Sequence, residues 1–210
     1  MGVAAAGAGR SAEPGAGRGP RVLIVVNAEW YFLSHRLSLA MALRDHGCEV
    51  AVAATVERDQ QTMIEDERLR FVPLHLRWRS VNPLYEAASL LELFRLYRRE
   101  RPGVVHQITI KPVVYGSVAA RMARVPQVIN TIRGLGYAFL GGGIKASVLR
   151  RAVSLAYRPA LADRRVHVIF QNPEDRDLSV ARRIVKPDRA RVIRRSWTCP
   201  VFVDTLSRAV

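Results

Sequence analysis

A chain of 210 residues has room for one α/β domain with a tail, and 49% apolar against 24% charged residues is the balance of a globular protein with a core. No apolar run reaches the 18 residues that a membrane-crossing helix needs, and two cysteines, Cys48 and Cys199, suit neither a disulfide framework nor a metal-ligand cluster. The formal charge of +15 comes almost wholly from arginine, with lysine only at Lys111, Lys145 and Lys186, and it favours polyanionic partners such as nucleic acid, anionic lipid headgroups or pyrophosphate-linked substrates.

Residues 1–20 are Gly/Ala-rich with scattered Arg and Pro, lack the hydrophobic stretch of a signal peptide, and are expected to form a disordered tail. The sparse cysteines point to a reducing, cytoplasmic setting. From Arg21 to Asn27 runs a short apolar segment suited to a strand buried on both faces. A polar-aromatic turn, Asn27 to Tyr31, leads into a helix from about Leu33 to His46 that Gly47 stops. Strands follow at Val50–Ala54 and Phe71–Leu76, with a weaker helix at Gln60–Leu69 between them. Asn82-Pro83 supplies an N-cap and a first-turn proline for a helix reaching about Arg99.

Val104–Thr109 reads as strand four, Val114–Ala123 as a helix and Gln127–Thr131 as strand five. A glycine-rich stretch, with Gly134, Gly136 and Gly141–Gly143, precedes a basic helix from about Ile144 to Ala162. Val166–Phe170 is strand six, Asn172-Pro173 caps the next helix above an acidic first turn, and Val192-Ile193 is a short seventh strand. Strands alternating with helices predict right-handed βαβ units and a doubly wound parallel sheet, a Rossmann-like α/β domain over residues 21–195.

Ligands of such sheets bind beyond the carboxyl ends of the strands. The segments expected there are Asn27 to His35, His106 to Pro112, Asn130 to Gly136 and Gln171 to Glu174. None carries a dinucleotide or Walker fingerprint or a nucleophile elbow, and His35 and His106 are not at metal-ligand spacing. Candidate binding residues are Asn27, Glu29, His35, His106, Lys111, Arg133, Gly134, Gly136, Asn172 and Glu174. Each has a plainer reading beside it. Glu29 is a base or hydroxyl acceptor, or else it orients its loop. His106 is catalytic, or a core histidine. Lys111 and Arg133 hold an anion, or are solvated cations. Gly134 and Gly136 admit a ligand, or make a turn. Arg95, Arg98 and Arg99 on one helix and Arg150, Arg151 and Arg158 on another give basic amphipathic faces that either lie on a membrane or face water. Direct nucleic-acid binding lacks a recognisable motif or stacking platform.

Five segments carry a family likeness: Asn27-Ala-Glu-Trp-Tyr-Phe-Leu-Ser-His-Arg36, Ser80-Val-Asn-Pro83, Val105-His-Gln-Ile-Thr-Ile-Lys-Pro112, Arg133-Gly-Leu-Gly-Tyr137 and Ile169-Phe-Gln-Asn-Pro-Glu-Asp175. In order and spacing they resemble the "4-like" N-terminal domain of glycosyltransferase family 4, in bacterial polysaccharide and glycan assembly. The resemblance implies half of a GT-B fold, the half that receives the acceptor, often a sugar on a polyprenyl diphosphate at the inner membrane face. It implies no metal or other cofactor. The nucleotide-sugar donor would bind a second domain, which supplies a carboxylate pair and the basic residues that stabilise a leaving diphosphate. The family's histidine after strand five is not matched, because the stretch reads Asn130-Thr-Ile-Arg-Gly134. Nor is the Gly-Val-Asp turn that opens the donor domain, since Arg195-Ser-Trp-Thr-Cys-Pro200 stands in its place. In the neighbouring reading frame Trp-Thr-Cys-Pro can be read as Val-Asp-Leu-Ser, so residues 196–210 are expected to be an out-of-frame tail and the donor domain to be absent. Two functions follow: a transferase half inactive alone, or a non-catalytic acceptor- or membrane-binding subunit of a separately encoded donor chain.

Overall fold

Short aliphatic runs bounded by turn residues form the strands β1 (Arg21–Ala28), β2 (Glu49–Thr55), β3 (Arg70–Leu74), β4 (Val104–Ile108), β5 (Gln127–Ile132), β6 (Val166–Phe170) and β7 (Ala190–Val192). They pair in one parallel sheet of order β3-β2-β1-β4-β5-β6-β7. The computed structural model describes residues 19–76, 82–132, 155 and 157–193. The expected glycine-rich loop with Arg133, Gly134 and Gly136, the basic-helix residues Arg150 and Arg151, Cys199 and both tails lie outside the described residues.

Alternate residues of each central strand face opposite cores, as a period of two requires. On one face Val22, Ile24, Val104 and Ile129 pack with Phe32, Leu39 and Leu43; on the other Leu23, Val25, Val105 and Val128 pack with Leu93, Leu96 and Tyr97. The first set of partners comes from α1 (Glu29–His35) and α2 (Leu37–Asp45), beside the short α3 (Gln61–Glu65); the second comes from α4 (Pro83–Glu100), which lies against α5 (Ile110–Ala123). A last helix, α6 (Pro173–Ala181), follows β6, and residues 157–161 are also helical. Burying one leucine such as Leu93, wholly enclosed here, contributes about 2 kcal/mol. Strands buried on both faces are what the unbroken apolar runs predict.

Three expectations are corrected. The helix expected over residues 33–46 is two helices, and the polar-aromatic turn from Glu29 to Tyr31 is the first turn of α1. The break falls at Arg36, whose backbone leaves the helical region (φ −132°, ψ −12°) and whose side chain is fully enclosed. The helix expected from Val114 begins at Ile110. Pro112 sits in its first turn, where the missing N–H is no loss because those donors have no partner within the helix. Lys111 is therefore a helical residue, not a loop residue. The caps were legible: Asn82 accepts from the Leu84 amide at 3.0 Å, and Asn172 accepts from the Asp175 amide at 2.7 Å.

Candidate functional site

The order of the strands reverses between β1 and β4: one half of the sheet grows from β1 through β2 to β3, the other from β4 outward. Beyond the carboxyl ends of those two strands a crevice must open, because the connections that follow them leave in opposite directions. Two cavities occupy that place. The larger, about 380 Å³, is bordered by Asn27, Tyr31, Thr109, Lys111, Thr131 and Tyr157 among others. The smaller, about 200 Å³, has Asn27, Trp30, Tyr31, Glu57 and Thr109 in its wall. Asn27, Tyr31 and Thr109 border both, so the two are compartments of one cleft.

Thr109 is the N-cap of α5, with φ 77° and ψ 161°. That region is essentially reserved for glycine and costs a β-branched residue on the order of 1–3 kcal/mol. Its hydroxyl makes no capping bond, and Oγ1 is shielded from solvent with no hydrogen-bond partner among the described residues. The Asn27 Oδ1 atom is in the same position. Two residues that border both cavities, one on each side of the switch point, thus carry a shielded oxygen. Thr109→Gly is expected to raise stability by about 1 kcal/mol, the relieved strain less the extra chain entropy of glycine. Chemical denaturation of the two proteins measures it, and a loss of stability would show that the conformation is not strained.

Behind the cleft wall lie ionisable groups that do not border it. Glu29 is wholly buried; its carboxylate accepts from the Glu57 amide at 2.8 Å and also from the Arg58 amide, which fixes the loop after β2. His106 is the central residue of β4 rather than its end, and is fully buried. Its Nε2 lies 2.8 Å from the hydroxyl of Thr131, which does border the cleft. Burial, and secondarily the positive charge of Arg36, hold its pKa well below the ordinary histidine value. Lys111 borders the cleft but pairs with Glu86 at 2.6 Å, which ties the first turns of α4 and α5 together.

The structure therefore brings Asn27 and Lys111 to the cleft and sets Glu29 and His106 one layer behind it. His35 is exposed and stacks on Tyr31, ring centroids 4.6 Å apart. Asn172 and Glu174 lie at the start of α6 after β6, with Asn172 occupied as its cap, and neither borders the two cavities. Thr109, Thr131, Tyr157 and Glu57 were not singled out in the sequence. For the two threonines a signal exists: each is a polar residue at the carboxyl end of an apolar strand in the half of the sheet that grows from β4. Tyr157 carries no such signal, being distant in sequence. Arg95, Arg98, Arg99 and Arg158 are all exposed, Arg158 donating to the Arg182 carbonyl.

Comparison with known proteins decides among the families that share such a cleft. A model of the glycosyl transferase 4-like family matches residues 21–172. The chain belongs to that family. Over 144 residues it is 28% identical to the UDP-Gal:alpha-D-GlcNAc-diphosphoundecaprenol alpha-1,3-galactosyltransferase of Escherichia coli, a match covering 67% of this chain and 35% of that protein. Over 136 residues it is 25% identical to the N,N'-diacetylbacillosaminyl-diphospho-undecaprenol alpha-1,3-N-acetylgalactosaminyltransferase of Campylobacter jejuni, covering 60% of this chain and 36% of that one. The chain thus spans about a third of the length of these curated relatives. In three dimensions it superposes on a glycosyltransferase from Rickettsia africae with a TM-score of 0.63 over 90% of this chain and 49% of that one; at 13% identity, this likeness speaks for the fold alone. The expected family and the expected Rossmann-like sheet both hold.

Proposed function

We propose that this glycosyl transferase 4-like chain is the acceptor-binding half of a glycosyltransferase that moves a sugar from a nucleotide-sugar to a polyprenyl-diphosphate-linked glycan. The observation that carries the reading is the cleft at the β1/β4 switch point, in a chain whose two curated relatives are named for diphosphoundecaprenol-linked sugars. A divided cleft suits an acceptor with a sugar and a diphosphate, and the exposed arginines of α4 suit the anionic surface on which such an acceptor resides. No helix among the described residues is long and apolar enough to cross a membrane.

Leaving-group chemistry belongs in this reading to a donor-binding half, covalently joined or separate, because a departing nucleoside diphosphate needs its charge stabilised. The chain alone is expected to bind a short-chain prenyl-diphosphate sugar and to transfer nothing to it. Adding the C-terminal half of the Escherichia coli relative, fused or in trans, is expected to restore transfer from a nucleotide-sugar. Calorimetry and product chromatography check the two parts. Absence of acceptor binding would sink the reading; binding without transfer in any combination would leave the subunit as a non-catalytic acceptor binder.

A further inference from the structure

A third cavity, of about 330 Å³, opens at the other end of the sheet from the cleft, where the chain passes from α4 into β4 and from α5 into β5. Pro102, Val125 and Tyr97 give it apolar walls, and Arg98, Arg101 and Arg124 stand around them. No acidic residue borders it among the described residues. The side chains of the three arginines make no ion pair or hydrogen bond among those residues either. The carboxylates of the neighbouring segments are engaged elsewhere. Glu100 accepts from Arg70 and, at 2.9 Å, from Arg99. Asp163 pairs at 2.6 Å with Arg165, whose guanidinium also donates to the Val125 carbonyl.

Charge decides what such a cavity holds. Arg101 and Arg124 are the C-caps of α4 and α5, so the carboxyl ends of both helices meet here. Each end is equivalent to about −0.5 of an elementary charge. Against these two ends stand three guanidinium groups, which leaves roughly two positive charges uncancelled around one concavity. The guanidinium groups repel one another, and a dianion between them turns that repulsion into attraction. A carboxylate or a sulfate ester carries a single negative charge. A phosphate monoester carries close to two at neutral pH, with three acceptor oxygens that suit planar guanidinium donors. The volume lies at the small end of ligand pockets, and the apolar walls suit a compact organic group beside the phosphate. We propose that the cavity between the carboxyl ends of α4 and α5 binds a phosphate monoester, whether free or as the headgroup of a lipid. The site is independent of the acceptor-binding reading, since it uses none of the residues that border the cleft.

The backbone allows the charge to be removed without disturbing the fold. Arg101 (φ 46°) and Arg124 (φ 59°) lie in the left-handed region, where glycine is the favoured residue. Arg68 (φ 56°) and Arg183 (φ 54°) share that geometry, are exposed, and border no part of the cavity. Replacing either pair by glycine thus removes the same charge from the same kind of backbone, once at the cavity and once elsewhere. Phenyl phosphate, titrated by calorimetry at pH 7.5, is expected to bind the Arg101→Gly/Arg124→Gly variant at least about tenfold more weakly than the parent chain, with no loss of melting temperature. Its affinity for the Arg68→Gly/Arg183→Gly variant should stay within about twofold of the parent's. Phenyl sulfate, a monoanion of the same shape, should bind the unaltered chain at least about tenfold more weakly, a readout that needs no variant. Flotation with phosphatidylcholine vesicles, with and without phosphatidate, identifies the source of the monoester. Capture that requires phosphatidate and fails in the cavity variant assigns the lipid headgroup; phenyl phosphate binding without such capture assigns a free monoester. No binding of phenyl phosphate, equal losses in the two double variants, or equal affinity for phenyl sulfate would overturn the site.

Discussion

Glu29→Ala is expected to lower the stability of the chain by about 3 kcal/mol, and its melting temperature by roughly 6–12 °C for a protein of this size. The carboxylate is wholly buried and accepts from two consecutive backbone amides, those of Glu57 and Arg58, with both of its oxygens in use at the Glu57 amide. Hydrogen bonds to a charged acceptor are stronger than neutral ones. Removing the acceptor leaves two amides without a partner, and it unfastens the segment that braces Trp30. Glu29→Gln keeps one acceptor oxygen but turns an NH₂ toward an N–H, so about half the loss is expected. Urea denaturation followed by far-ultraviolet dichroism gives the free energies. The near-ultraviolet indole signal should change in step if the loop after β2 moves with it. A loss under about 1 kcal/mol would mean that water replaces the carboxylate at no cost, and that Glu29 is free for another role.

How much of this was legible in the sequence depends on whether the information was local. β1 and β6 were readable because a run such as Val22 to Val26 has only one stable use in a chain of this kind, burial on both faces. The caps at Asn82 and Asn172 were readable because cap, proline and first turn lie next to one another in the chain. The break at Arg36 was not, since the pattern of Leu37, Met41 and Arg44 runs on as if one helix continued. What interrupts it is the enclosure of a long cationic side chain beside His106 of β4, seventy residues away in the sequence. The site divides in the same way. That polar residues would gather beyond β1 and β4 follows from topology, and Asn27 and Lys111 are there. That Glu29 and His106 stand a layer behind, while Thr109, Thr131 and Glu57 form the wall, depends on strand register. His106 pairs beside Ile24 and Ile129 in mid-sheet, and no local pattern in the sequence fixes where along the strand the cleft begins.

Stability is expected to fall as the pH drops below about 6.5, with a slope approaching 1.4 kcal/mol per pH unit, so that about 2 kcal/mol is lost by pH 5. His106 is the cause. In the folded chain, burial and the charge of Arg36 keep it neutral well below the ordinary histidine pKa, whereas in the unfolded chain it takes up a proton near that value. Below it the unfolded state therefore binds more protons than the native one, and acid favours unfolding; above it the contribution is complete. His167 is displaced in the same direction by burial, and then by Arg189 and Arg191, and adds to the slope less strongly because it is only half enclosed. The displaced carboxylates act in another window. Asp163, held at about 2 chiefly by its hydrogen bond from Arg165, and Glu100, lowered chiefly by its bond from Arg70, contribute stability above the usual carboxylate range and lose it only as the pH falls below about 4. Between pH 5 and 6.5 the histidines dominate. His106→Gln is expected to be less stable at pH 7.5 yet to show most of the slope removed, as denaturant midpoints at four pH values would reveal. Parallel slopes in the two proteins would exclude His106 as the cause. The cleft does not follow the same course: in the folded chain the His106 ring stays neutral well below the ordinary histidine pKa, so its contact with the Thr131 hydroxyl is unchanged between pH 6.5 and 5, and ligand affinity per folded molecule should not fall in step with stability.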